Sequence, residues 1–213
     1  MSETRAPLDV PASAPAPTPA LDGAAGINVV ADPAPLGLGA FAATTFALSI
    51  VNTGVVSANI RPVVLPLMLM YGGIAQVLAG MWEFRNNRNT FGAVAFTSYG
   101  AFWLSLWALS TQITIPAAQR PQALGVFLLV WTIFTFYMWL GTFRLNWGLL
   151  AVFTALLVTF VLLVIGEWRS AETIVKIGGW AGIVTAALAW YVAAAGVVNH
   201  TFKRIVIPVF PIA

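Results

Sequence analysis

Apolar residues fill six stretches of this chain, each about long enough to cross a bilayer and each closed by a short polar loop. A hydrocarbon core of roughly 30 Å takes about 20 apolar residues of helix. Leu36–Val56 is the first such stretch, and SANIRP leads into Pro62–Trp82. The polar loop EFRNNRNT precedes Phe91–Gln112, and Pro116, Arg120 and Pro121 mark the next connection. Gln122–Phe143 is followed by RLN, and Trp147–Gly166 by EWRSAETIVK; Ile177–Val198 comes last, before NHTFKR. No Asp, Glu, Lys, Arg or His falls inside any of these stretches. The pattern predicts an all-α integral membrane protein with six transmembrane helices.

Composition agrees with that reading. Of 213 residues 60% are hydrophobic and 8% charged, whereas soluble domains carry about 25% charged residues. The net charge of +3 is spread through loops, with no basic cluster of the kind nucleic acid requires. No cysteine is present, which excludes disulfides and thiolate chemistry. Residues 1–30 differ in kind: five prolines lie between Pro7 and Pro19, and no apolar run of signal-peptide type occurs. They are expected to form a disordered tail, with the transmembrane domain over 31–208 and a short tail at 209–213. Arg85, Arg88, Arg144, Lys203, Arg204 and the distant Arg5 share the side of the termini. Arg61, Arg120, Arg169 and Lys176 lie opposite, so the positive-inside rule places the termini in the cytoplasm.

Polar residues inside the spans are arranged by helical period. Phe41, Thr45, Ser49 and Asn52 fall on one face of the first helix, with Thr44 beside them. Thr132, Thr135, Trp139 and Thr142 repeat the idea in the fourth, where Trp131 also lies. Gln76 sits mid-depth in the second, and its amide is costly in lipid unless paired or facing water. Pore lining and interhelical hydrogen bonding both account for such residues. The tryptophans divide between span ends (Trp82, Trp147, Trp168, Trp180) and deeper positions such as Trp103, where packing explains them. Small residues at Gly72, Gly73, Ala75, Ala79, Gly178 and Gly182 allow close helix contact, within or between subunits. A site of hydroxyls, amides and rings suits a small neutral solute, a weak acid or a monovalent anion. No catalytic motif, carboxylate pair or metal-ligand cluster is present, so neither an enzyme nor a cofactor is expected.

Longer motifs go further. DPAPLGLGAF at 32–41 resembles the NPAPLGL signature of the acetate uptake transporter family, the bacterial acetate–succinate permeases and their fungal relatives. YGGIAQVLAGMWEFRNNRNTFGAVAFTSYGAFWLS at 71–105 is similar to that family's second and third helices. GVFLLVW, FYMWLGT and VVNHTFKRIVIP extend the likeness over roughly 31–208. The resemblance implies a hexameric ring with one hourglass path per subunit, carrying acetate, related monocarboxylates and in some members succinate, linked to protons. It also implies a constriction of Phe, Tyr and Leu. These match Phe41, Tyr99 and, by the VF–x₂–L spacing, Leu156.

The opening motif, Asp32, Pro33, Pro35, Leu36, Gly37 and Leu38, departs from the family at its first position, where Asp replaces Asn. Both residues cap helices, with Pro33 then expected at the first helical position. Alternatively, a carboxylate at the positive helix end weakens anion access or makes it pH-dependent. Two rivals to a proton-linked carrier remain from sequence. One is a passive channel for weak acids, water or ammonia, favoured by the missing intramembrane relay. The other is a membrane scaffold or sensor. Small carboxylates, protons, lipids and identical subunits are the expected partners.

Overall fold

The structure is a computed structural model that describes residues 31–86 and 89–212. The expected tail at 1–30 and Arg88 lie outside the described residues. Among the described residues six helices are long and apolar enough to cross a membrane. They are α1 (Ala34–Asn52), α2 (Ala58–Arg85), α3 (Thr90–Thr111), α4 (Arg120–Thr142), α5 (Trp147–Trp168) and α6 (Glu172–Phe202).

The helices do not stop where the apolar stretches do. α1 ends at Asn52 rather than Val56, because Gly54 turns the chain at φ 76° beneath the Lys176 side chain. α2 continues a full turn past Trp82, so Glu83, expected in a polar loop, is a buried helical residue with 1% exposure. α5 likewise carries Glu167 in its last turn, and α6 begins at Glu172 and holds Lys176 and His200. Hydropathy reports the hydrocarbon layer, while backbone hydrogen bonding carries a helix on until a cap stops it. The caps are visible. Asn89 Oδ1 accepts from the Gly92 N–H at 3.1 Å, and Asn146 Oδ1 from the Leu149 N–H at 2.8 Å.

α2 is itself composite. A 3₁₀ segment, Ala58–Val63, leads through Val64–Pro66 into a π-helical stretch, Leu67–Ala75, before regular α geometry resumes. The wider π turns bring Gly72 and Gly73 against their neighbours. A Cβ on Gly72 would lie 2.6 Å from Thr44 Oγ1, and one on Gly73 2.6 Å from Leu104. The sixth-helix glycines behave alike: Gly179 lies against the Thr53 backbone and Gly182 against Ser49. These small-residue contacts are therefore made within the subunit.

Helices pack in the order α4, α5, α6, α1, α2, α3 around the bundle. The seam between α3 and α4 has the fewest close backbone approaches, because rings fill it. Phe102 meets Phe127 at 5.6 Å and Trp131 at 5.3 Å, and Tyr99 meets Phe134 edge-on at 5.0 Å. After α6 the chain folds back. Asn199 accepts from the Val206 and Ile207 N–H groups, Tyr191 donates to the Pro208 carbonyl, and Trp147 N–H donates to the Phe210 carbonyl.

Candidate functional site

Two cavities occupy the bundle axis, and both are lined by Phe41 and Leu156. The wider, about 270 Å³, lies toward the loops that follow α1, α3 and α5. The narrower, about 70 Å³, lies toward the start of α1. Tyr99 also lines the narrow cavity, and its ring stands 5.6 Å from that of Phe41. All three residues are buried. An α1 ring and an α5 leucine thus border both open volumes, with the α3 ring of Tyr99 beside them on the narrow side.

The first helix supplies one wall because its polar period is respected. Phe41, Thr45, Ser49 and Asn52 all line the wide cavity. Thr45 and Trp103 also border it through other atoms, while Thr45 Oγ1 and the Trp103 indole N–H are shut off from the open space and have no hydrogen-bond partner among the described residues. Gln76 lines the narrow cavity, 1% exposed, with its Oε1 unpartnered. Buried polar groups without partners are uncommon in folded proteins.

Other residues singled out from sequence are engaged elsewhere. Thr44 Oγ1 donates to the Ala40 carbonyl at 3.0 Å and faces α2, outside both cavities. Thr135 shares a hydrogen bond with Tyr99, and Trp131 meets Phe102 and Phe134 edge-on; neither lines either cavity. The α4 hydroxyls of Thr132 and Thr142 bond back to their own helix, and Trp139 N–H donates to Thr154. In the opening motif Asp32 is exposed and its Oδ1 accepts the Ala34 N–H at 3.0 Å. Pro33 has helical dihedrals and Gly37 N–H bonds its carbonyl at 3.1 Å. Gly37 packs against the Phe96 ring and Pro35 against Gly196, while Leu36 is 44% exposed. Of the motif's six residues only Leu38 lines the narrow cavity.

Sequence reading missed four groups. Trp103 was explained by packing, yet its side chain also borders the wide cavity. Arg61, Arg120 and Glu167, spread over three loops in the sequence, line one mouth. The shared signal was the dipeptide Arg-Pro, at 61–62 and 120–121, at one end of the bundle.

Six apolar helices around two cavities that share Phe41 and Leu156 define an integral membrane protein of the transporter or channel class. The chain belongs to the GPR1/FUN34/yaaH family, whose profile matches residues 23–213. It is 41% identical over 186 residues to the succinate-acetate/proton symporter SatP of Escherichia coli (strain K12), across 86% of this chain and 97% of that one. Acetate permease A of Emericella nidulans is 38% identical over 196 residues, 84% of this chain and 65% of the longer fungal protein. Ammonia transport outward protein 2 of Saccharomyces cerevisiae is 37% identical over 195 residues, 86% of this chain and 67% of that one. The solved structure of the bacterial acetate channel SatP superposes with a TM-score of 0.78 at 41% identity, covering 84% of this chain and 99% of that one.

Proposed function

We propose that this chain moves acetate and related short monocarboxylates, succinate among them, across a cell membrane through the axial path. The observation that carries the reading is the pair of cavities meeting at Phe41 and Leu156, with Tyr99 beside them. An apolar neck resists a hydrated anion, since stripping water from a charge is costly. Acetate answers both demands. Its methyl group meets the rings while its carboxylate takes the Ser49 hydroxyl and Asn52 amide on one side and the Gln76 amide on the other. The names of SatP and the fungal permease support the cargo class.

We place the termini in the cytoplasm on loop charge, and take a ring of six subunits from the family resemblance. Proton linkage requires no side-chain relay at the waist if acetate crosses as the acid, carrying its own proton. The same observation favours a second reading, a passive channel, because neither residue shared by the two cavities is ionisable. Labelled-acetate uptake into proteoliposomes, competed by formate, propionate and succinate, tests the cargo. Imposing a pH gradient separates the two modes, since a channel equilibrates acetate and does not concentrate it by itself. Liposomes that stay impermeable with correctly folded protein would leave a scaffold or sensor.

A further inference from the structure

The wide cavity carries three charges at its outer end. Arg61 enters α2 with Pro62 behind it, Arg120 enters α4 with Pro121 behind it, and Glu167 ends α5. Arg61 and Arg120 are exposed, and Glu167 is half-buried within the field of both guanidinium groups. Yet no ion pair closes between them. The salt bridge found at this end joins Lys176 to Glu172, at 2.7 Å. Arg61 reaches only Asn52 Oδ1, at a long 3.5 Å, and Arg120 has no side-chain hydrogen-bond partner among the described residues.

We propose that Arg61 and Arg120 form a carboxylate-collecting site at this mouth, with Glu167 as its internal competitor. The proposal rests on the carboxylate-transport reading above. A guanidinium fork matches a carboxylate in two parallel hydrogen bonds, and both forks here are available. Two cations at the rim of a low-dielectric cleft focus the field and raise the local anion concentration. Beyond the rim the lining carries no further charge, Leu124, Phe127 and Leu163 alternating with hydroxyls such as Ser49 and Thr159, so this is the cargo's last charged contact before Phe41 and Leu156. Conduction needs a site that is favourable to reach and still easy to leave. Glu167 supplies the second property: its carboxylate draws on the same two cations, so the hold on the cargo is shallower than two unopposed arginines would give.

The test is labelled-acetate uptake into neutral phosphatidylcholine liposomes, with initial rates taken across acetate concentration and KCl concentration. Replacing both arginines (Arg61→Gln with Arg120→Gln) is expected to raise half-saturation about tenfold at low ionic strength and to flatten the salt dependence. Arg61→Lys with Arg120→Lys keeps most of the salt dependence, which a purely structural role for the arginines would not predict. Glu167→Gln lowers half-saturation and maximal rate together. Calorimetric acetate binding to the purified protein in detergent gives a readout independent of flux, weaker for the double Gln variant and tighter for Glu167→Gln. Native flux with none of these shifts overturns the collector, leaves transport standing and makes the arginines lipid-headgroup anchors. Binding that shifts as stated without native flux overturns transport and keeps the collector. Absence of both flux and binding overturns both.

Discussion

The Tyr99 hydroxyl lies 2.9 Å from Thr135 Oγ1, a buried hydrogen bond that ties α3 to α4 across the seam their backbones leave thinnest. It fixes the phenol ring between Phe41 and Phe134, whose centroids stand 5.6 and 5.0 Å away. Tyr99→Phe keeps that ring and removes the bond, so acetate uptake should persist while stability falls by about 0.5–1.5 kcal/mol. Thermal unfolding in detergent, run beside the uptake assay, checks both halves. Tyr99→Ala should do the reverse of the first half and change selectivity, because the ring itself is lost from the waist.

Phe41 and Leu156 line both cavities, so truncating either joins the two volumes. Phe41→Ala and Leu156→Ala should therefore raise succinate flux relative to acetate, the larger cargo gaining most from a wider neck. The ratio of initial rates in proteoliposomes reads this directly. If Phe41→Ala and Tyr99→Ala each left the rates and their ratio unchanged, these residues would not form the neck.

Asp32 discriminates between a cap and an electrostatic gate. Its Oδ1 accepts the Ala34 N–H, and the residue lines neither cavity. Asn presents the same acceptor, so Asp32→Asn should leave thermal stability and the pH profile of uptake superimposable on the native ones. Asp32→Ala loses the acceptor and should cost about 0.5–2 kcal/mol of stability, the usual range for a helix cap. A pH profile that moved in Asp32→Asn would restore the gating role.

Legibility in the sequence followed the range of each interaction. The six helices and the polar face from Phe41 to Asn52 were readable because hydropathy and helical period are local properties. Glu83 was misplaced for a physical reason: hydropathy ends a span at the first charge, but Glu83 sits in a continuing helix beside Gly92, its Oε2 accepting from Asn89 Nδ2 at 3.1 Å. The small-residue motifs announced close contact but not its partner, which only the assembled bundle supplies, as Gly182 against Ser49 does. The cluster of Arg61, Arg120 and Glu167 was hidden for a similar reason. Three loops separated by tens of residues become one rim only when the folded bundle brings the ends of α2, α4 and α5 together. Thr44, Thr135 and Trp131 had the right composition for a pore, yet their neighbours claim them.

Asn199 offers a test of how the C-terminal segment is held. Its Oδ1 accepts from the Val206 and Ile207 N–H groups at 2.7 and 2.9 Å, and its Nδ2 donates to the Ile207 carbonyl at 2.8 Å. One amide therefore closes the chain reversal that follows the left-handed Lys203 at the end of α6. Ile212 N–H then reaches the Leu145 carbonyl, and Asn146 bridges to Pro211, so the segment latches onto the loop between α4 and α5. Asn199→Ala removes three hydrogen bonds at once, each worth about 0.5–1.5 kcal/mol net. Asn199→Asp keeps the two accepted N–H bonds but sets a carboxylate oxygen against the Ile207 carbonyl, so it should retain only part of the latch, though more than Asn199→Ala. Amide hydrogen exchange at Val206, Ile207 and Ile212 is expected to accelerate in Asn199→Ala while the interior of α1 stays protected. Unchanged exchange at Ile212 would show that the contacts with the α4–α5 loop hold the segment without Asn199, leaving the residue as a local turn former.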